Sequence, residues 1–433
     1  MDRADVIVVG AGCAGLAAAT RLAERGARVL MFEARPTVGG RASAFTDPAT
    51  GERVDNGQHV LFGCYRDTFT FLDRIGARDR VQLQDRLAVN VVDGDGRASR
   101  LSCPALPPPF NVLGGLMTWR ALTWRDKAAA LRIGRVFTAR PDETVRQWLV
   151  RRHQTPRLIE LLWEPLAVAA LNQSIDVAAA TPFARVLHEM LGSGRRGASI
   201  AVPLVPLDQM YALPAVDYIA RRGGEVRTSS PATIVCSDLS RPRVVARNET
   251  FTAQHVICAA PWFALQEVLR DPPAALRPVI DAARQTAASP IVTVNLWFDR
   301  VITEHALVGL PGRTMQWVFD KRRVFGEHAS HLSLVSSGAE RMVAKPNDEL
   351  IGLAVNEINA ALPAARAAQL RRAVVVRERH ATFSVAPGVP PRPATRTPVA
   401  GLWLAGDWID TGLPATIESA VRSGHLAAAL VDS

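Results

Sequence analysis

Three glycines near the start of the chain and one acidic residue further on have the spacing of a dinucleotide site. Gly10, Gly12 and Gly15 form the pattern GxGxxG, and Glu33 lies 18 residues after the last of them. In such a site the first glycine permits a tight turn, the second lets the backbone approach a pyrophosphate, and the third lets a helix pack closely on a strand. The Glu33 carboxylate can bind ribose hydroxyls and would repel a 2′-phosphate. We therefore expect FAD or NAD rather than NADP.

Two further segments carry groups that suit a phosphorylated cofactor. Residues 39–41 read Gly-Gly-Arg: the glycine pair lets the backbone approach a cofactor, and Arg41 can neutralise a phosphate. Residues 401–407 read as a strand that ends in Gly406 and Asp407, and a helix is predicted to begin near Thr416. The N-terminus of that helix carries partial positive charge, which favours a nearby anionic group.

The segments around the first glycine motif predict the elements that position it. Residues 5–9 are a short apolar run typical of a buried parallel strand, residues 16–25 have a helical pattern, and residues 28–32 read as a second strand. A second GxGxxG match, at residues 192–197, follows a helical pattern and precedes a strand-like one. That order is the reverse of a nucleotide site, so we predict a loop there.

Composition restricts the class of protein. The chain has 433 residues, a net charge of +10, and 48 arginines among its 51 basic residues. Such a skew is typical of a GC-rich genome; the functional alternative is a basic surface for an anionic partner. No nucleic-acid-binding motif is present, so we favour lipid over nucleic acid. Five scattered cysteines predict no disulfide framework, no metal site and a reducing cytoplasmic compartment, and no apolar run reaches the roughly 18 residues of a spanning helix.

The order of these motifs resembles the flavin amine oxidase and phytoene desaturase superfamily. In that superfamily an acidic residue, a Gly-Gly-Arg segment, an Asp-x-Gly segment and a C-terminal Gly-Asp follow one another, as Glu33 and residues 39–41, 55–57 and 406–407 do here. The resemblance implies FAD, bound noncovalently.

The resemblance also implies which residues contact FAD. Ala232 is expected near the adenine, Asp407 near the ribityl and pyrophosphate groups, and the helix N-terminus at Thr416 and Ile417 near the pyrimidine end of the flavin. The full set of cofactor-binding residues is Gly10, Gly12, Ala14, Gly15, Glu33, Ala34, Arg35, Gly39, Gly40, Arg41, Asn56, Gly57, Gln58, His59, Ala232, Gly406, Asp407, Thr416 and Ile417.

Three segments more specifically resemble the bacterial hydroxysqualene dehydroxylase family: residues 55–65, 163–172 and 404–416. This resemblance implies that reduced FAD converts hydroxysqualene to squalene in hopanoid biosynthesis. The hydroxyl is allylic, so its loss as water leaves a delocalised cation that hydride can quench. Such a reaction needs a proton donor and electron-rich surroundings for the cation.

Four residues are candidates for the catalytic chemistry. His59 is the first candidate acid because it follows a turn expected near the flavin, Asp410 is the second, and Glu164 is the third. Trp408 is a candidate for stabilising the cation. The alternatives stay open: His59 could only orient the flavin, Glu164 could be a buried helix cap, Trp408 could serve packing, and a water could carry the proton.

The predicted fold is α/β, with a discontinuous Rossmann-type FAD-binding domain and a substrate domain of mixed β-sheet and helices. The FAD-binding domain takes residues 1–85, 205–262 and 395–433, and the substrate domain takes residues 86–204 and 263–394. Within the latter, the apolar segment 104–124 contains two tryptophans and is followed by basic residues that include Arg135. It is expected either to contact a membrane or to form a lid over the substrate.

The expected partners are an isoprenoid lipid, an anionic membrane surface at the cytoplasmic face of a bacterial membrane, and upstream enzymes of the squalene pathway. Three other functions remain: a phytoene-type desaturase or isomerase acting on another polyprenyl lipid, an amine oxidase, and a non-catalytic flavin-fold lipid carrier. Amine oxidases usually carry a lysine near the flavin on the strand that matches residues 291–298, and that strand has none here.

Overall fold

The structure is a computed structural model that describes residues 4–133, 138–236, 241–327 and 330–431. The strands of the described residues are β1 (Val6–Val9), β2 (Val29–Phe32), β3 (Ala44–Thr46), β4 (Arg53–Asp55), β5 (Leu61–Phe62), β6 (Val81–Leu83), β7 (Ala88–Val92), β8 (Ala98–Ser102), β9 (Ile200–Pro203), β10 (Glu225–Arg227), β11 (Ala232–Val235), β12 (Arg243–Ala246), β13 (Glu249–Thr252), β14 (His255–Cys258), β15 (Leu269–Arg270), β16 (Ala288–Phe298), β17 (Leu307–Gly309), β18 (Trp317–Asp320), β19 (Ser330–Ser337), β20 (Leu370–Phe383) and β21 (Leu402–Leu404).

The α-helices of the same residues are α1 (Cys13–Glu24), α2 (Arg66–Arg74), α3 (Phe110–Thr118), α4 (Trp124–Leu131), α5 (Val145–Arg151), α6 (Pro156–Leu158), α7 (Glu164–Leu171), α8 (Ala180–Gly192), α9 (Leu213–Ala220), α10 (Leu265–Val268), α11 (Arg277–Gln285), α12 (Lys321–Phe325), α13 (Asn347–Ala361) and α14 (Ile417–Val431). Two π-helical turns, Ile159–Trp163 and Asp208–Ala212, precede α7 and α9.

A parallel five-stranded sheet in the order β10-β2-β1-β14-β21 lies at the centre of the nucleotide-binding half. Its strand β1 is buried throughout and pairs in parallel with β2 and β14. Both faces of β1 are apolar because both are covered: Val6 and Val8 pack with α1 and α14, and Ile7 and Val9 pack with β11 and β12. The carboxyl ends of its strands therefore lie at one edge, where Gly10, Glu33, Ala259 and Gly406 follow. In open parallel sheets this edge is where ligands bind.

Helices α1 and α14 pack against each other beside this sheet. The approach is so close that a Cβ at Gly424 would lie 2.2 Å from the carbonyl oxygen of Ala14. Contact at this distance requires a residue without a side chain, so Gly424 lets the middle of α14 pack directly on the first turn of α1.

The second large sheet has seven strands in the order β20-β16-β19-β18-β17-β7-β8 and is mixed, because only β17 and β7 pair in parallel. Smaller sheets join β13-β12-β11-β15, β5-β9-β6 and β3-β4. The α/β fold with a parallel nucleotide-binding sheet and a mixed second sheet confirms the predicted fold class. The domain boundaries given above stay a prediction.

The predicted loop at residues 192–197 is confirmed, and part of the basic flank of segment 104–124 lies outside the described residues. The second GxGxxG match lies between the end of α8 at Gly192 and the start of β9, outside regular secondary structure. Asp93–Gly96 forms the turn that joins β7 to β8. Helix α4 ends at Leu131, and Arg135 lies outside the described residues. No helix among the described residues is both long and apolar enough to cross a bilayer.

Candidate functional site

The turn between β1 and α1 has the geometry of a phosphate-binding turn. Gly10 adopts φ of +107°, and a Cβ there would lie 2.8 Å from the carbonyl oxygen of Ala259. A Cβ at Gly15 would lie 1.9 Å from the carbonyl oxygen of Gly10, so α1 packs directly against the turn. Gly12 precedes α1, and within the described residues no side chain caps this helix and no acidic residue occupies its first turn. The amides of this N-terminus are therefore available to an anion.

Glu33 lies at the end of β2 and is 8% exposed. Its Oε2 accepts the amide hydrogen of Ala11 at 2.8 Å, and its Oε1 accepts that of Arg35 at 2.9 Å. These bonds fix the carboxylate beside the glycine turn. Each oxygen keeps capacity for one more hydrogen bond, which suits the hydroxyls of a ribose.

Arg41 and Asp407 form an ion pair across the site, with 2.5 Å between Nη2 and Oδ1. Arg41 also donates to the carbonyl oxygen of Ala381 at 3.0 Å and lies over the ring of Trp262. Burial lowers the pKa of Arg41, but the carboxylate of Asp407 outweighs this effect and raises it above its usual value. A cofactor phosphate near Arg41 would therefore share the guanidinium with Asp407.

The segment from Asp55 to His59 is held in place from behind. The side chain of Asn56 donates to the carbonyl oxygen of Arg41 at 2.5 Å and so ties this segment to the Gly-Gly-Arg loop. Lys321 of α12, which is almost fully buried, binds Asp55 Oδ2 at 3.0 Å and also Gln58 Oε1. The side-chain amide nitrogen of Gln58 donates a hydrogen bond to the carbonyl oxygen of His59 at 3.2 Å.

His59 faces the cavity, and its Nδ1 lies 2.8 Å from the carbonyl oxygen of Gly57. A carbonyl only accepts hydrogen bonds, so Nδ1 carries the proton and Nε2 of the neutral ring is an acceptor. Burial lowers the pKa of His59 below its usual value, which favours this neutral form at pH 7. The ring can therefore orient a donor but holds no proton at Nε2 to give away.

A cavity of about 920 Å³ receives these groups. All of the predicted cofactor-binding residues line it except Gly15, which packs beneath the turn. The same cavity continues between apolar side chains, among them Leu87, Val89, Leu101, Leu116, Leu161, Leu166, Leu187, Met190, Ile200, Leu307, Phe319 and Val335. One continuous space thus joins the phosphate-binding turn between β1 and α1 to an apolar region that suits a long hydrocarbon.

Three of the four predicted catalytic residues do not line this cavity. Glu164 is absent from its wall although Trp163 and Pro165 on either side line it; the charges nearest Glu164 are Arg146, Asp176 and Glu160, on the other side of the helix. Asp410 is exposed and pairs with Arg392 at 3.2 Å. Trp408 is buried, and its Nε1 donates to the carbonyl oxygen of Ala260 at 3.1 Å. The structure brings only His59 to the cavity, because the other three side chains are directed elsewhere by these contacts.

Sequence reasoning did not single out four polar residues of this region. Tyr65, Asn172 and Glu378 line the cavity, and Lys321 lies directly behind Gln58. Tyr65 is six residues beyond His59, within the segment that carried the family resemblance, so that segment was the available signal. Lys321 and Glu378 do not belong to a recognisable sequence motif. They lie near the cavity because the strands of the second large sheet, which come from distant parts of the chain, pair with one another.

Helices α3 and α4 form one wall of the cavity and also part of the outer surface. Pro109, Leu113 and Leu131 line the cavity, whereas Phe110 is 54% and Trp124 is 78% exposed. Trp119, the other tryptophan of segment 104–124, is buried in the cavity wall and donates to Ser99 Oγ at 3.1 Å. Trp119 therefore has the position expected of a lid over the substrate, and Trp124 has the position expected of a membrane contact.

The residues present suit FAD on three structural grounds. The uncapped N-terminus of α1 can bind a pyrophosphate. Beside this N-terminus, the Glu33 carboxylate can accept further hydrogen bonds, and Gly10, which has no side chain, lets a cofactor approach the backbone of the turn. The N-terminus of α14 borders the cavity through Thr416 and Ile417, so it places a partial positive charge where an anionic ring would be stabilised.

Comparisons with known proteins agree on the type of protein. The family described as flavin-containing amine oxidoreductase matches residues 13–432. The chain is 30% identical over 451 residues to hydroxysqualene dehydroxylase of Rhodopseudomonas palustris, covering 98% of each chain. It is 26% identical to a 15-cis-phytoene desaturase of an Oncidium hybrid cultivar, over 98% of this chain and 77% of the relative. Its fold is similar to that of an oxidoreductase from Methanosarcina mazei, with a TM-score of 0.77, 18% identity and coverage of 99% and 100% of the two chains.

Proposed function

Because the chain belongs to the flavin-containing amine oxidoreductase family and is an FAD-dependent oxidoreductase, we propose that it reduces hydroxysqualene to squalene. The observation that carries this proposal is the apolar cavity that opens directly onto the cofactor-binding residues. A hydroxysqualene dehydroxylase at 30% identity over the full length supports it. An isoprenoid alcohol is the class of substrate that such a space would take.

The walls of the cavity suit this substrate because they are apolar along most of their length. A polyprenyl chain gains free energy in proportion to the apolar area that it removes from water, roughly 25 cal/mol per Å². Trp119, Trp163 and Trp317 add aromatic faces to the wall, and such faces attract a developing allylic cation. The walls would thereby bind the chain and stabilise the charge that forms when water leaves.

When bound and reduced, FAD supplies hydride to the carbon that loses its hydroxyl. The residues of the chain would bind the cofactor, exclude bulk water and place the alcohol. Neutral His59, whose Nε2 is an acceptor, would receive a hydrogen bond from the substrate hydroxyl or from the flavin ring. We therefore propose an orienting role for His59.

We also propose that α3 and α4 contact an anionic bilayer at the cytoplasmic face of the membrane and that the substrate enters between them. Leu106, Phe110, Trp124 and Leu131 are exposed together on this side of the protein. Arg125 is exposed beside them, and Lys127 lies 4.8 Å from the ring centre of Trp124. Exposed apolar side chains flanked by basic ones are typical of helices that lie in a membrane interface.

Anaerobic single turnover tests the proposed reaction. The protein loaded with chemically reduced FAD is mixed with hydroxysqualene in detergent, flavin reoxidation is followed by absorbance, and squalene is measured by mass spectrometry. We expect one squalene for each flavin reoxidised. The same protein loaded with oxidised FAD is the control and should give none. Reoxidation without squalene, or no reoxidation at all, would contradict the proposal.

A phytoene-type desaturase is the second candidate, because phytoene desaturases are also similar over nearly the whole chain. The two functions run in opposite redox directions. A desaturase would bleach the oxidised flavin when phytoene is added without oxygen, whereas the proposed enzyme would leave the oxidised flavin unchanged. Bleaching by phytoene would transfer the assignment to the desaturase.

A further inference from the structure

Tyr65 places a phenolic hydroxyl in the wall of the main cavity. It lies between β5 and α2, and its amide donates to the carbonyl oxygen of Phe62 at 2.9 Å. Its ring packs edge-on against the ring of Phe62, with 5.9 Å between the centroids. A strand end and a helix start therefore fix the direction of this side chain.

A second, much smaller cavity lies on the other side of Tyr65. Its volume is about 30 Å³, which is larger than the roughly 10–15 Å³ that a cavity needs to hold one water molecule. Tyr65 and Thr416 line both cavities. The residues that line only the small cavity are Cys64, Val186, Glu189, Leu413, Pro414, Glu418 and Arg422, so three charged side chains border a mainly apolar space.

The phenol holds its proton in this environment. Burial raises the pKa of Tyr65 well above its usual value, and the hydroxyl of Thr416 lies close to the phenol. Thr416 is fixed at the start of α14, where its oxygen accepts the amide hydrogen of Ser419 at 3.1 Å and donates to the carbonyl oxygen of Pro414 at 3.3 Å. A phenolic O–H turns about its C–O bond, so it can pass from Thr416 to a substrate oxygen.

From this placement we propose that Tyr65 is the catalytic proton donor and that the small cavity receives the water produced. The proposal rests on the proposed function, because it assigns the proton that the departing hydroxyl requires. The allylic C–O bond breaks, a C–H bond forms with hydride from the reduced flavin, and the Tyr65 proton completes the water. The phenolate left on Tyr65 then takes up one proton from solvent, because an anionic reduced flavin supplies hydride alone.

The acidity of a phenol suffices for this step. A hydroxyl that leaves with the electron pair of its C–O bond approaches the basicity of hydroxide, which is a stronger base than a phenolate. A phenol can protonate so basic a group even when its own pKa is raised. His59 is less suited, because its neutral ring donates only to Gly57.

The small cavity also answers where the product water goes. Water formed between apolar walls has no hydrogen-bond partners there, and a buried water needs two to four. Glu189 and Arg422 supply polar atoms at the small cavity, whereas both oxygens of Glu418 already accept hydrogen bonds from Asp67, Thr68 and Arg422. Burial raises the pKa of Glu418, whose Oε2 already accepts the amide hydrogen of Thr68 at 2.8 Å, so this side chain is held in place.

The chain contains three tyrosines, which allows a complete set of Tyr→Phe variants. Each holoenzyme is reduced without oxygen and mixed with hydroxysqualene, and the rate of flavin reoxidation is measured. We expect Tyr65→Phe to slow this rate by about 100-fold or more, the usual contribution of general acid catalysis. Tyr218→Phe is the matched control, because Tyr218 lies on α9 with Arg222 over its ring and does not line the cavity. The flavin of this variant should be reoxidised at the wild-type rate. Tyr211 donates to Gly39 and Ala42 of the cofactor loop, so Tyr211→Phe should lower FAD content instead.

Three further readouts separate proton donation from a structural role. Tyr65→Phe should keep the FAD content of the wild type, its rate of reoxidation by oxygen, and its affinity for hydroxysqualene measured by perturbation of the oxidised flavin spectrum. The wild-type reoxidation by substrate should also slow in D₂O, and that isotope effect should disappear in Tyr65→Phe. Wild-type reoxidation in Tyr65→Phe, or a lowered FAD content that accounts for the whole loss, would overturn the role of Tyr65 while leaving the proposed function intact. Failure of the wild type itself to reoxidise would overturn both.

Discussion

Replacing Lys321 with Met tests whether the segment behind the flavin site depends on one buried charge. The side chains of Lys321 and Asp55 are 1% and 2% exposed, and their charged atoms are 3.0 Å apart. Lys321 also binds Gln58 and lies 3.9 Å from the ring centre of Phe325. The substitution keeps most of the side-chain volume but leaves the Asp55 carboxylate without its cation.

The magnitude follows from what remains around Asp55. Its Oδ1 still accepts the amide hydrogen of Leu207 at 3.0 Å, but Oδ2 loses its partner inside the protein. Removing one member of a buried ion pair typically costs about 3–5 kcal/mol, because the other charge is left uncompensated. Replacing both members costs less, so the variant Asp55→Asn with Lys321→Met should be more stable than Lys321→Met alone. Without Lys321 the side chain of Gln58 also loses a hydrogen-bond partner and becomes less well fixed, so less FAD should be retained.

Urea unfolding of the holoenzyme, followed by tryptophan fluorescence and by release of FAD, measures both effects. Lys345→Met is the matched control, because Lys345 pairs with Glu349 on the surface at 37% and 52% exposure and should change stability by only about 0–1 kcal/mol. If Lys321→Met and Lys345→Met unfold at the same urea concentration, the buried pair has no such role. If the double variant is less stable than Lys321→Met, the uncompensated carboxylate is not the cause.

Three further variants test the cofactor site and the proposed membrane surface. Asp407→Ala should yield protein purified largely without flavin, since Arg41 loses its partner, whereas exposed Asp410→Ala should keep normal flavin absorbance; equal loss in both would contradict the assignment. Glu33→Ala should weaken FAD binding by about 10- to 100-fold in titrations of apoprotein, as expected for hydrogen bonds to a charged group worth about 1.5–3 kcal/mol; unchanged affinity would refute its role. Trp124→Ser should lower the fraction of protein that sediments with anionic vesicles, whereas Leu426→Ser, at an exposed position of α14, should not. Equal sedimentation of the two variants would contradict the proposed membrane contact of α3 and α4.

The nucleotide-binding half could be predicted from the sequence because its determinants are local. A glycine that must adopt positive φ, a glycine that must lack a Cβ and an acidic residue at the end of the next strand lie within 24 residues of one another, from Gly10 to Glu33. The same reasoning rejected the match at residues 192–197, because a strand must precede such a turn and a helix must follow it. Context of this kind is readable from periodicity alone.

The chemical end of the cavity could not be predicted in the same way, because its residues come from distant parts of the chain. Lys321 reaches Asp55 across 266 positions, and Arg41 reaches Asp407 across 366. For Glu164 the sequence offered a residue type but not a direction. One step along a helix turns a side chain by about 100°, which is enough to direct Glu164 away from a cavity that Trp163 and Pro165 both face.

The arrangement of charge around the cavity argues for a division of labour between its two ends. Two ion pairs lie at the cofactor end: Arg41 with Asp407, and Lys321 with Asp55. At the hydrocarbon end the walls are apolar and aromatic. A cation formed beside these walls would meet aromatic faces that stabilise it. Apolar walls that keep bulk water away would favour its capture by hydride. A site built to reduce an allylic alcohol rather than to rearrange or hydrate it requires this combination, and a polar proton donor at the boundary, such as Tyr65, completes it.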